Sequence, residues 1–426
     1  LFNSKYVVVV SIALILLAGG CSSNNKVGQK ETKASTKKQT LLRDFKIKTP
    51  LFASNSPWNQ KASDVAVLPN SNEQIVLLFR VLLGDKSTLE PRDDASGMNE
   101  PFPVMHINYD EYTMPIFKTG QGTQKISMVD YEGNESWSNE KIKTDSAEKA
   151  IVPNASGPIR AANPKGIDSD GHLVLYSPDT RIEYDFWQAE VVKGKGSGNV
   201  GQQIIDAGAI DFFDTTKMGV NPNGYYSART VGTPLLAGLL LPEDIENGAI
   251  KHAMSVAIPG LKVTNTDDTS DPSPSDYFYP ASATEDEYLN TDSDSLAAGQ
   301  RLRLKNQLVY EDGESIDEEE LAPVTKVFLD AMREYGAYIV DNAGGLIFYS
   351  EDISTANIDL ADEKIMELAD LPGKTLPEDK TKWQILMEAL NKDINEIPLA
   401  AGSWEQDPED AKMGTTNFEV IENAKR

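Results

Sequence analysis

The chain has 426 residues, 40% of them hydrophobic, and a formal net charge of −26 from 66 acidic and 40 basic side chains. That length holds one large folded body or two ordinary ones, and 15 Tyr, 13 Phe and 5 Trp are enough for a sizeable core. The charge excludes nucleic acid as a natural partner, because a polyphosphate would be repelled, and a single cysteine excludes an internal disulfide framework and a thiol metal site.

The chain opens with Lys5 ahead of the apolar run 6–17. This run is too short for a bilayer span of about 20 residues, but it suits the apolar region of a secretory signal. Small residues Ala18, Gly19 and Gly20 then lead into Cys21. The arrangement resembles a bacterial lipobox, with 1–20 as signal peptide and Cys21 as the lipidated residue. Ala18 departs from the pattern, since Leu usually stands three before the cysteine and here Leu17 lies one step earlier. The resemblance implies a lipid anchor and an extracytoplasmic location, at the outer membrane or cell surface. Each buried acyl CH2 adds about 0.8 kcal/mol to such an anchor. Residues 21–48, with Lys26, Lys30, Lys33, Lys37 and Lys38 among Ser, Asn, Thr and Gln, read as a flexible tether.

A body is expected over 49–355. Ile75, Leu78, Phe79 and Leu82 fall on one face of a helix over 71–83, capped at Asn70 or Ser71. Short β-like runs follow at 104–107, 125–129, 172–176, 182–187, 249–258 and 300–304. Turn clusters at 168–171 and 177–180 separate some of them. This pattern predicts a mainly β fold, a sandwich or jelly-roll-like body with peripheral α-helices. The acidic stretch 264–296 reads as a long surface loop. A second acidic run, 311–320, introduces a helix over 322–338, and a strand follows at 346–349. The tail 356–426 is expected to pack on the body through helices at 361–369 and 380–390.

Three histidines are present, and no HExxH pair. His172 shares a strand face with Val174 and Tyr176, and His252 sits between Ile250 and Met254. They read either as structural histidines or as proton carriers in one cleft. Glu183, Asp185 and Trp187 share one face of a strand, with Gln188 beside them. Carboxylates accept sugar hydroxyl hydrogens and an indole stacks on pyranose faces. Paired carboxylates also hydrolyse glycosides. The alternative is an ordinary exposed strand face. Tyr226 and its neighbours in 224–229 line a pocket or a buried loop, and no GxSxG elbow supports a hydrolase of that type. Arg301, Arg303 and Lys305 alternate, so Arg303 could hold uronate or sulfate bidentately, or pair with the protein's own carboxylates. The spacings at 168–171 and 290–294 suit Ca2+ but complete no EF-hand loop. No other cofactor or metal is implied.

Several ordered blocks carry a wider resemblance. They are Pro57-Trp58-Asn59; 171–176 running into 183–189; Gly224-Tyr225-Tyr226-Ser227-Ala228 with 233–239; 248–254; Arg301-Leu302-Arg303-Leu304-Lys305; and 335–342. From residue 56 to about 350 the chain resembles an uncharacterised family of secreted or lipid-anchored bacterial proteins. The resemblance implies an extracellular setting with immunoglobulin-like or carbohydrate-linked modules, and brings no activity. Two readings follow. One is a cell-envelope lipoprotein binding an extracellular polysaccharide or similar ligand. The other is a surface-anchored polysaccharide-degrading hydrolase or lyase, with His172, His252, Glu183 and Asp185 as acid/base residues. In either, Trp187, Gln188, Tyr226 and Arg303 hold the ligand. Convergence of the histidines and carboxylates in one open cleft favours catalysis; histidines buried apart favour recognition.

Overall fold

A computed structural model describes residues 41–82, 104–129, 137–138, 149–162, 170–192, 203–263, 276–285, 289–373, 375–403 and 412–423. The expected lipidation site at Cys21 and the expected tether up to residue 40 lie outside the described residues. Among the described residues, no helix is long and apolar enough to cross a membrane. Strand exceeds helix, 30% against 19%, so the fold is mainly β with peripheral helices, and its open sheets form a sandwich-like arrangement.

The smaller sheet has six strands. Their spatial order is Met105–Asn108, Leu346–Tyr349, Met254–Ile258, Ala337–Asn342, Arg301–Leu304 and Phe418–Ile421. Met254–Ile258 and Ala337–Asn342 run parallel, with a bulge at Val256/Ala257. Val256, Ile258, Ile339 and Val340 are wholly buried, as strands covered on both faces require. The helices Ser71–Leu82, Pro323–Glu334 and Lys382–Ile394 pack against the sheet's strands.

Pro323 starts its helix at a position where the missing N–H costs nothing. The expected helix over 322–338 stops short because Gly336 turns left-handed at φ 65°. A Cβ there would lie 2.3 Å from the Leu302 carbonyl oxygen, so only glycine fits, and Ala337 and Tyr338 open the next strand. The run 249–258 is likewise strand only over Met254–Ile258. The C-terminal segment supplies more than helices. Lys382–Ile394, capped by the Thr381 hydroxyl on the Gln384 amide, buries Trp383, Leu386 and Leu390. Beyond it, Phe418–Ile421 forms an edge strand antiparallel to Arg301–Leu304.

The tether expected over 21–48 does not extend through residues 41–48, which join the folded body. The Leu41 and Arg43 amides donate to the Ser354 and Thr355 carbonyls, and Arg43 and Ile47 are buried. The expected surface loop 264–296 is also corrected where it is described. Asp276, Ala281, Ser282 and Ala283 are buried, and Leu289–Asn290 pairs with Leu261–Lys262. Residues 264–275 and 286–288 lie outside the described residues.

The larger, eight-stranded sheet runs Trp137–Ser138, Ala209–Asp214, Ile182–Trp187, Leu173–Ser177, Ile116–Met128, Gln203–Ala207 and Glu190–Val192. Lys149–Ala155 pairs additionally with the 13-residue strand Ile116–Met128. Strand alternation divides its side chains between two cores. Phe117, Leu173, Leu175, Phe186 and Ile210 fill a core of their own. Ile116, Val174 and Tyr176 face the core shared with the six-stranded sheet. Glu183 lies across from Tyr176, and Asp185 across from Val174. Two carboxylates are thereby carried into the region between the sheets. The buried loop 227–241 fills that region, with Val231, Leu235, Leu236 and Leu239 among its covered residues.

Candidate functional site

A polar cluster lies where this loop meets both sheets. Its centre is Arg229, fully buried. The guanidinium donates to the Pro234 carbonyl at 3.3 Å, the Ala237 carbonyl at 3.4 Å and the Ser255 hydroxyl at 3.2 Å. It also lies over the Tyr349 ring, 4.9 Å from the centroid. It acts on Glu183, Asp185 and Asp341 at longer range.

Glu183 and Asp185 share a strand face as the alternation predicts, but the face is not exposed: both are 0% accessible. The Leu235 amide donates to Asp185 Oδ2 at 2.9 Å. Neither Glu183 oxygen has a hydrogen-bond partner of ordinary geometry, and its polar neighbours are Asp185 and the Leu236 amide. Burial first, then the Asp185 charge, push the Glu183 carboxyl well above the usual carboxylate range. Burial pushes Asp185 up to about 7, against the pull of the Leu235 amide. Asp211 faces Asp185 across the strand pair and takes the Asn221 amide at 2.8 Å.

Toward the surface, Asp341 accepts from the Tyr349 hydroxyl at 3.4 Å, and its carboxyl is pushed up to about 7 by burial and by Asp170. Glu285 accepts the Asn342 amide at 3.1 Å. The Asp170 side chain is 46% exposed and lies 4.0 Å from His172 Nδ1. His172 is covered, and desolvation lowers its pKa, with Arg229 adding to the effect and Asp170 opposing it. The structure therefore brings His172, Glu183 and Asp185 into the field of one arginine. It offers no open cleft at the two carboxylates, both wholly covered.

His252 belongs to a different pair. Its Nε2 lies 3.2 Å from Asp244 Oδ2 and its Nδ1 3.0 Å from the Ala253 carbonyl. An acceptor near each nitrogen favours the protonated ring. Burial lowers its pKa, and Asp244 outweighs that to leave it raised. The expectation that His172 and His252 converge as proton carriers is thus corrected, because both His252 nitrogens are committed. Asp244 also accepts the Leu241 amide at 3.1 Å, at the start of the helix Pro242–Glu246. His252→Gln should cost about 1–3 kcal/mol by leaving Asp244 underpaired, read as a lower urea midpoint. The histidine's contribution is complete below its unfolded value of about 6.5 and is lost as the pH rises through its raised folded value.

Arg303 follows the second of its two readings and pairs with one of the protein's own carboxylates. Its Nε and Nη2 donate to Glu419 at 3.0 and 2.8 Å, and Nη1 donates to the carbonyls of Ala62, Ser63 and Val65. Arg301 is spent on the Tyr335 and Gln60 carbonyls. Arg301 is buried as well, its guanidinium over the Tyr338 ring at 4.8 Å. Trp187 is half-buried against the shared core, over Gly208, and is not an open platform. Gln188 is buried at φ 51°, its amide on the Asp170 carbonyl at 2.7 Å.

Tyr226 is half-buried in a loop that meets a second aromatic segment. The Ser282 hydroxyl donates to the Tyr225 carbonyl, and the Gly224 amide donates to the Ser282 carbonyl at 2.6 Å. Residues 224–226 and 277–282 are therefore sewn together. Tyr225 and Phe278 stand out at 44% and 38% accessible, and Tyr226, Tyr277 and Tyr279 of the same two segments are half-buried. We refer to this surface as the aromatic ledge. Tyr225 and Tyr226 were visible in the sequence. Phe278 was obscured by the acidic composition around it, although Tyr277-Phe278-Tyr279 is itself a compact aromatic run.

Asp168 and Ser169 of the first Ca2+-like spacing lie outside the described residues. In the second, Asn290 Oδ1 and Asp292 Oδ1 accept the Asp292 and Asp294 amides, and Asp294 accepts from Asn70. Among the described residues, no three His, Cys, Asp or Glu side chains gather as a metal ion requires. A scan against protein-family models, a search of curated proteins and a search of solved structures each found no match to this chain.

Proposed function

We propose that this chain is a lipid-anchored protein of the bacterial cell envelope that recognises an extracellular carbohydrate through the aromatic ledge. The observation that carries the reading is the joining of 224–226 to 277–282, with Tyr225 and Phe278 exposed on the joined surface. Aromatic faces stack on the apolar faces of sugar rings while their polar rims stay wet. The apolar run and the small residues before Cys21, which resemble a lipobox, support the extracellular setting. The runner-up, a polysaccharide-degrading enzyme, draws less support, since Glu183 and Asp185 are wholly covered and both His252 nitrogens are occupied.

The test uses the full chain carrying Cys21→Ser with neutral, amino-bearing, uronate-containing and sulfated polysaccharides. Binding is measured by calorimetry, and new reducing ends or unsaturated uronates are followed in the same samples. Tyr225→Ala and Phe278→Ala should each weaken binding about tenfold, near 1.4 kcal/mol. Their melting temperatures should stay close to wild type, because exposed side chains carry little of the fold. Cleavage products would restore the enzyme reading. Silence across the panel would remove carbohydrate from the proposal.

A further inference from the structure

We infer that Glu183 and Asp185 share a proton that latches the loop 227–241 onto the larger sheet, so that losing the proton loosens the loop and the aromatic ledge at its head. The latch does not depend on what the ledge binds.

The geometry is that of a loop hung from two acids. Leu235 donates its amide to Asp185 at 2.9 Å, and the next amide, of Leu236, faces Glu183. Both Glu183 oxygens and Asp185 Oδ1 are buried without a hydrogen-bond partner. A proton held between the two acids turns one of these orphaned acceptors into a donor for another. Without it, two like charges would sit together in a dry interface, an arrangement that proteins relieve by protonation.

Among the described residues, Arg229 is the cation that acts on the pair. Within the sheet, Tyr176 lies opposite Glu183 and Asp211 opposite Asp185. Asp211 holds the Phe212 amide and Asn221. From the loop comes Arg229, whose hydrogen bonds go to carbonyls and the Ser255 hydroxyl. From the six-stranded sheet come Asp341 and Tyr349, with Glu285, Asp170 and His172 on the outer side. One guanidinium thus serves the two acids and Asp341, while Asp211 adds its charge beside Asp185. The raised affinities of Glu183 and Asp185 for protons agree with this balance of charge.

The direction with pH follows from linkage. In the open loop the acids take their ordinary values, about 3.9 for Asp and 4.3 for Glu. In the closed loop burial raises both acids, Asp185 to about 7 and Glu183 well above its usual range, and the pair together keeps the one shared proton. Closing therefore takes up that proton. Opening becomes easier as the pH rises from the ordinary carboxylate values through about 7 for Asp185, and levels off once both acids are ionised in the closed form. Within that window the proton changes the opening constant about tenfold per pH unit.

The experiment is hydrogen exchange of the full chain carrying Cys21→Ser, read by mass spectrometry on peptides from 231–241. Rates are corrected for the intrinsic effect of pH, from about pH 5 to about pH 8. Peptides of the helix Lys382–Ile394 serve as internal reference. Loop protection should fall about tenfold per pH unit while the reference holds. In Glu183→Gln, which keeps the side-chain shape and supplies a permanent donor, most of that slope should vanish. Equal slopes in the two proteins, or loop protection that rises with pH, would overturn the latch. Should Glu183→Gln fail to fold, infrared spectroscopy of the unsubstituted pair decides. A protonated-carboxyl band at neutral pH that fades as the loop loosens and is lost in Asp185→Asn, but kept in Asp341→Asn, supports the shared proton, and its absence refutes it.

Discussion

Arg43→Ala should lower the unfolding free energy by about 3–5 kcal/mol, the cost of stranding buried carboxylates without their cation. Arg43 is 4% exposed, yet all of its guanidinium nitrogens are occupied. Nε lies 2.8 Å from Glu351 Oε1, Nη1 2.6 Å from Glu243 Oε1, and Nη2 2.9 Å from Glu351 Oε2. The same Nη1 reaches the Phe45 carbonyl at 2.6 Å, and Glu243 Oε1 also takes the Ile47 amide at 3.0 Å. Three distant parts of the chain meet at this one side chain. Arg43→Lys should recover only part of the loss, because an ammonium cannot present the planar fork that two carboxylates are using. Urea unfolding of both variants is the check. A loss under about 1 kcal/mol for alanine would mean the pair behaves as an exposed one.

The second large effect is expected at Gly299. Its φ is +79°, and a Cβ built there would stand 1.6 Å from the Phe278 carbonyl oxygen and 2.6 Å from the carbonyl carbon. The Gly299 amide is meanwhile held by the Ile339 carbonyl at 2.7 Å. Gly299→Ala therefore cannot be absorbed by rotating a side chain, since one backbone must leave the other. Left-handed strain of about 1–3 kcal/mol adds to overpacking of about 1–3 kcal/mol. The Phe278–Ala298 backbone bond, 2.7 Å long, is the contact placed to give way. The variant should melt well below wild type. It should also lose more carbohydrate affinity than Phe278→Ala, since the whole 277–279 segment moves. Retained affinity with a lowered melting temperature would separate the ledge from recognition.

Much of the framework was legible because its signals are local. The stripe of Ile75, Leu78, Phe79 and Leu82 places a helix, realised as Ser71–Leu82. The alternation through Glu183 and Asp185 places both on one strand face, realised in Ile182–Trp187. What alternation cannot convey is what covers that face. Arg229, Asp341 and Tyr349 come from a loop and another sheet, far along the chain, and no spacing rule links them to Glu183. The N-terminal boundary was missed for a different reason. Leu41, Arg43, Phe45 and Ile47 recur with period two, but Lys46 and Lys48 between them made the segment look like more tether. Composition likewise misread 276–285, where buried Ala281, Ser282 and Ala283 follow an acidic run. His252 stood out as a rare titratable residue. Its partner Asp244, eight positions earlier, was indistinguishable from any other surface acid until the helix Pro242–Glu246 brought it inward.

The position of Arg43 also decides how the folded body bears mechanical load. Any pull arriving from the N-terminal side meets first the Leu41 amide on Ser354, then the Arg43 amide on Thr355, and then the guanidinium clasped by Glu243 and Glu351. Behind that clasp, Glu351 accepts the Trp383 indole N–H through its carbonyl at 3.0 Å, so force passes from the leading segment into the helix Lys382–Ile394. The aromatic ledge lies off this line of tension, on segments carried by Ser282 and Ala298. A body hitched in this way can be tugged at its leading end while the surface bearing Tyr225 and Phe278 keeps its shape.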